Sequence, residues 1–190
     1  MRINFISAVI IALLFCPVFA FSQDYYTGQR IVGKQIKFRV SFVDSPHPAM
    51  ILESMTDTLG LIDKTPVYEN NGERFAEWTG ERYADLDFPG LRDICKAVFS
   101  DEEIVDLTEG NSHISFESAI DSKTGATMEV RFLLYSCDDI LDPWLLSIPV
   151  EKFENLYRLI RDKLIWHVWP RCNNVSHLRS GGPLLQDWFF

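Results

Sequence analysis

The side chains able to do chemistry are four histidines, four cysteines and several close carboxylates. His47, His113, His167 and His177 are not spaced from one another as metal ligands usually are. His47 sits between prolines, His113 opens a strand-like stretch and His177 lies in a loop near the end. Cys172 with His167 or His177 has the composition of an activated thiol, which would make a cysteine hydrolase. No third orienting residue or supporting motif accompanies it, so this stands as the alternative reading. Asp138, Asp139 and Asp142 gather oxygen ligands, but the glycine and bidentate glutamate of a calcium loop are missing. Asp85 and Asp87 are a carboxylate pair, and a glycosidase needs a defined separation in space that sequence does not give. No catalytic residue, metal site or cofactor is assigned.

The aromatic run Leu164 to Trp169 (LIWHVW) carries more. On a strand, Ile165, His167 and Trp169 share one face, and Trp166 and Val168 share the other. If a helix covers one face, a tryptophan remains on the opposite one. Trp166, His167 and Trp169 are therefore the candidate ligand-binding residues, an aromatic surface for a sugar or a peptide. The competing occupant is the chain's own end. Leu184, Leu185, Trp188, Phe189 and Phe190 are apolar and need cover, and the loop from Pro170 to Pro183 is long enough to bring them back near Trp166 or Trp169.

The elements that position these residues follow from periodicity. Gln35 to Val43 alternates, with Ile36, Phe38, Val40 and Phe42 to one side, as a half-buried antiparallel strand does. Ala49 to Met55 returns as its partner, and Asn71-Gly72 marks a short hairpin within Val67 to Trp78. From Pro89 the spacing is helical, with Leu91, Ile94, Cys95 and Val98 on one stripe. Ser100 to Glu103 is a capping box for a second helix with Ile104 and Leu107 inward, closed by Gly110-Asn111. His113 to Asp121 and Ala126 to Ser136 form a hairpin about Gly125, with Ile114, Phe116, Ser118 and Ile120 facing Met128, Val130, Phe132 and Leu134. Cys137 to Pro143 is a loop, and Val150 to Leu164 a helix with Phe153, Leu156, Tyr157, Ile160 and Leu164 on its buried stripe. The fold class is α+β: an antiparallel sheet with one long C-terminal helix packed across a face.

Arg2, the apolar run Phe5 to Phe15 and the small residues before Gln23 have the composition of a secretory signal, too short to span a bilayer. The domain reading is residues 1–23 removed and 24–190 a single domain, with an apolar tail from about residue 171. Phe15 and Pro17 flank Cys16 unsuitably for lipoprotein cleavage, so the expected product is soluble, periplasmic or secreted, without stable membrane insertion. Losing Arg2 takes the net charge from −9 to −10, and that acidity opposes binding to nucleic acid. Cys95, Cys137 and Cys172 remain. An odd count leaves one unpaired: Cys95 as a buried hydrophobe, with Cys137 and Cys172 the best-placed disulfide pair. The 190 residues, 47% hydrophobic and 24% charged, suffice for one sizeable core.

The phrases DLTEGNSHISFESAIDSKTGATMEVRFLL and SIPVEKFENLYRLIRDKL, behind a signal ending FAFSQ, resemble small exported Bacteroides-type proteins of no assigned function. The order of elements from Phe88 to Trp169 is similar to the C-terminal domain of TonB, which pairs with a strand of outer-membrane receptors. TonB's membrane anchor and proline-rich spacer have no counterpart here, so the resemblance implies strand pairing and not energy coupling. The functional expectation is a binding module for an envelope protein or a glycan. Besides the hydrolase, a structural or inhibitory protein that inserts its tail into a partner is the other alternative.

Overall fold

The computed structural model describes residues 30–43, 48–75, 83–137 and 140–181. The expected signal, the tail Leu184 to Phe190, His47, Asp138 and Asp139 lie outside the described residues. The chain forms β1 (Arg30–Val32), β2 (Lys37–Val43), β3 (Ala49–Ser54), β4 (Ala84–Leu86), α1 (Phe88–Val98), α2 (Asp101–Glu109), β5 (Ser112–Ile120) and β6 (Thr127–Ser136). Then follow α3 (Pro143–Ser147), α4 (Val150–Lys163), β7 (Trp166–Val168), a single 3-10 turn (Pro170–Cys172) and β8 (Leu178–Ser180). Among the described residues, six strands make one antiparallel sheet in the order β1-β2-β3-β6-β5-β8, while β4 and β7 form a separate ribbon.

Alternation divides the large sheet into two unlike faces. Val40, Leu52, Phe132 and Phe116 are cross-strand neighbours in one row, all buried. Helix α4 lies on this face, with Phe153 5.7 Å from the Phe132 ring and Tyr157 6.3 Å from that of Phe38. One register step away, Arg39, Glu53, Arg131 and Glu117 form a charged row on the opposite face. Phe42, expected inward, is 55% exposed: among the described residues β1 pairs with Lys37 to Arg39 and does not reach that end of β2.

The hairpin β5–β6 contains an irregularity that reconciles two competing registers. The turn pairs Ile120 with Thr127, whereas beyond it Ala119 pairs with Glu129, so Met128 is the extra residue of a bulge. Without it, every apolar side chain of one strand would oppose the wrong face of the other. Met128 is accordingly half-buried and does not continue the core stripe. The turn is held by Asp121, whose carboxylate accepts from the amides of Lys123 and Thr124 at 2.8 Å each.

Several expectations need correction. There are four short helices among the described residues, and α4, at 14 residues, is not a single long helix crossing the face alone: α1 packs beside it, and Lys152 joins it to Glu103 of α2. Glu154, which lies off the expected buried stripe of α4, is buried and accepts the Gln35 amide at 2.9 Å. Strands β1, β4 and β8 and helix α3 lie where a loop or no element was expected, all too short to show a period. The Asn71-Gly72 turn forms as expected, with Gly72 at φ 72°, a Val67–Arg74 bridge and the Tyr68 amide donating to the Glu73 carbonyl at 2.8 Å, while residues 76–78 of the expected hairpin lie outside the described residues. The Cys137–Cys172 disulfide is absent: both thiols are free, Cys137 exposed at the end of β6 and Cys172 buried in the core cluster.

Candidate functional site

Strand β7 does not join the large sheet. Its pairing with β4 places Asp85 opposite His167 and Leu86 opposite Trp166. The ribbon is anchored at the β5–β6 turn, where the Trp166 amide donates to the Gly125 carbonyl at 2.9 Å and the Trp166 indole donates to Thr127 Oγ1 at 3.1 Å. Gly125 has φ 73°, and a Cβ there would stand 2.0 Å from the Trp166 carbonyl oxygen. Only glycine allows both the turn and the close approach.

Alternation then separates the three candidate binding residues. Trp166 is 5% exposed and belongs to the core, whereas His167 and Trp169 lie on the open side with Ile165. Trp169 is 43% exposed yet held on several sides. Its indole donates to Asp85 Oδ2 at 3.1 Å, its amide donates to the Tyr83 carbonyl at 3.0 Å, and the Arg171 guanidinium lies 5.4 Å from its ring centroid. The 3-10 turn closed by the Cys172 amide on the Trp169 carbonyl brings Arg171 back toward the ring. The open side therefore offers a hydrogen-bonded, part-exposed aromatic ring with the Arg171 guanidinium over it and a carboxylate and an imidazole nearby. Such a set can stack on an apolar ring face and hydrogen-bond its hydroxyl rim.

The Cys172–histidine constellation comes apart. Cys172 is buried, and burial pushes its thiol up against the weaker opposing pull of Arg171. His177 is turned elsewhere, with Nδ1 at 3.0 Å from Ser176 Oγ and Nε2 at 3.1 Å from the Lys64 carbonyl. The structure thus brings neither histidine to Cys172 in a thiol–imidazole pair. Asp87 caps α1 by accepting the Gly90 amide, and Asp142 caps α3 by accepting the Trp144 amide at 2.8 Å. Among the described residues, no three His, Cys, Asp or Glu gather as a metal site. No helix among them is long and apolar enough to cross a membrane.

A groove of about 370 Å³ opens on the charged face of the sheet, lined by Arg39, Glu53, Asp57, Asp63, Glu129 and Arg131 among others. Sequence reasoning missed it, because it depends on the segment after β3 folding back as a strap. Glu129, buried, accepts the amides of Gly60 at 2.8 Å, Leu61 at 2.5 Å and Ile62 at 3.3 Å. Arg131 joins Asp63 of the strap at 2.9 Å to Glu53 at 3.1 Å and Glu117 at 2.7 Å. Burial opposes its charge, but the Glu117, Asp63 and Glu53 carboxylates outweigh burial and raise its pKa. Asp57 is pushed up by burial, against the Tyr157 hydroxyl, the Val130 amide and Arg161. The central charges of the groove already satisfy one another, so a ligand would have to compete with pairs that hold the strap in place. The open side of β7 has no strap to displace, and the Trp169 ring stays 43% exposed beside its Asp85 and Arg171 contacts.

No protein-family model matches the chain, and a search of curated proteins finds none similar. The fold is nevertheless shared with a solved protein. A crystal structure of a DUF5043 family protein from Bacteroides uniformis superposes with a TM-score of 0.64 over 84% of this chain and 91% of that one. Identity is 12%, so the likeness is one of fold. The expected resemblance to Bacteroides-type proteins is supported in fold alone.

Proposed function

We propose that the protein is an exported component of the bacterial envelope, processed near residue 23, that binds a glycan on the open side of β7. The observation that carries this reading is Trp169: a 43% exposed indole fixed by Asp85 and flanked by Arg171. An exposed side chain already held in one orientation loses little freedom when it meets a ligand. His167, beside it, and Asp85, opposite, supply polar atoms for sugar hydroxyls, while Trp166 acts from the core side by anchoring the strand. Electrophoresis of the mature protein through gels cast with soluble plant, yeast or mucin polysaccharides tests it. Retardation in at least one gel, lost in Trp169→Ala, is expected. Equal mobility in every gel would refute it.

Strand pairing with an envelope protein, the mode implied by the TonB-like order, is the second reading. It is favoured by β8 pairing only with Ser118 to Ile120, which leaves Ser112 to Glu117 of β5 without a strand on that side among the described residues. A partner captured from envelope extract equally well by wild type and Trp169→Ala would favour this mode.

A further inference from the structure

The β5–β6 register creates a juxtaposition outside the surface just described. His113 is paired with Tyr135, and Cys137 follows two residues on, so it is the diagonal neighbour of His113. His113 Nε2 lies 3.0 Å from Cys137 Sγ, and the imidazole packs on the Tyr135 ring with centroids 5.2 Å apart. The Cys137 amide donates to the Asn111 carbonyl at 3.1 Å, which fixes the backbone beneath the thiol. Of the three described cysteines, Cys95 and Cys172 are buried and Cys137 is exposed. Burial pushes the Cys95 thiol up to about 12, so it is no competitor as a nucleophile.

We infer that Cys137 and His113 form a thiol-exchange site, at which Cys137 takes up a small disulfide-bonded thiol as a mixed disulfide. With its own proton on Nδ1, His113 accepts the thiol hydrogen at Nε2. The Cys137 sulfur attacks one sulfur of a low-molecular-weight disulfide; the new S–S bond forms as the old one breaks, and the departing thiolate takes the proton back from His113. One thiol and one disulfide yield one mixed disulfide and one thiol, with no external oxidant. The site stands apart from glycan binding, so the failure of either leaves the other standing.

The test incubates the full mature protein with oxidised glutathione and follows the adduct by mass spectrometry. A synthetic peptide of residues 133–141 serves as the reference for the same cysteine without His113. One glutathione per chain, on Cys137, is expected, at a rate about ten-fold or more above that of the peptide. His113→Gln should return the rate to the peptide's value while Cys95 and Cys172 stay unmodified. A native rate no faster than the peptide's, or His113→Gln reacting as fast as wild type, would overturn the inference. The comparison with the peptide decides the matter even if the variant does not fold.

Discussion

Replacing Glu129 by alanine should loosen the strap and lower the stability of the whole domain. This carboxylate is 3% exposed and accepts three consecutive backbone amides, from Gly60, Leu61 and Ile62. A hydrogen bond to a charged group contributes about 1.5–3 kcal/mol, and a buried donor left without a partner costs about 1–3 kcal/mol. The three amides share one carboxylate and water can reach part of the strap once it lifts, so the contributions do not add. We expect a loss of about 3 kcal/mol in urea melts, or roughly 6–12 °C in Tm for a domain of this size. Glu129→Gln keeps one acceptor oxygen and should lose about half as much. If the strap opens locally, proteolytic cleavage between residues 57 and 66 should accelerate before the global transition moves. A loss below about 0.5 kcal/mol for Glu129→Ala, with unchanged cleavage, is what an ordinary surface substitution gives and would refute the strap's role.

Leu156→Ala should cost about 2–5 kcal/mol and Arg158→Ala no more than about 0.5, since Leu156 is buried in α4 and Arg158 is exposed; equal losses in denaturant melts would contradict the packing. Gly125→Ala should destabilise by at least about 1–2 kcal/mol, because alanine is strained at φ 73° and its Cβ meets the Trp166 carbonyl. For Glu103, burial raises the pKa, but Lys152 and the Ser100 amide outweigh it and leave the carboxyl below its ordinary 4.5. Its contribution is therefore full above that value and is lost as pH falls through the lowered one, so the stability gap between wild type and Glu103→Gln should close in acid melts below pH 4.5.

What the sequence made legible is what repeats. Alternation in β2 as far as Val40 and in the β5–β6 hairpin beyond its bulge, the 3.6-residue stripe of α4 and the Ser100–Glu103 box appear where their spacing puts them. Three-residue strands such as β4 and β8 have no period, and their pairing is set by what they dock against. The facing of Ile165, His167 and Trp169 was readable, because it needs only local alternation. Asp85 at Trp169 was not, because it needs the pairing of β4 with β7. His113 beside Cys137 was one residue out of reach. Counting outward from the turn puts His113 opposite Leu134, and only the bulge at Met128 moves it to Tyr135. The hydrophobic stripes held that signal, since the expected faces of the two strands match only if one residue is inserted.

Ligand held on the open side of β7, and not in the groove beneath the strap, should respond to substitutions at Trp169 and not to those at Arg39. Wild type, Trp169→Ala and Arg39→Ala are run side by side in the polysaccharide gel that retards the wild type most. Arg39 lines the groove and is exposed, so its removal leaves the fold intact. Loss of an aromatic anchor should weaken binding by about 2 kcal/mol, close to thirty-fold in Kd. Trp169→Ala should then run with free mobility and Arg39→Ala with full retardation; the reverse pattern would place the ligand in the groove.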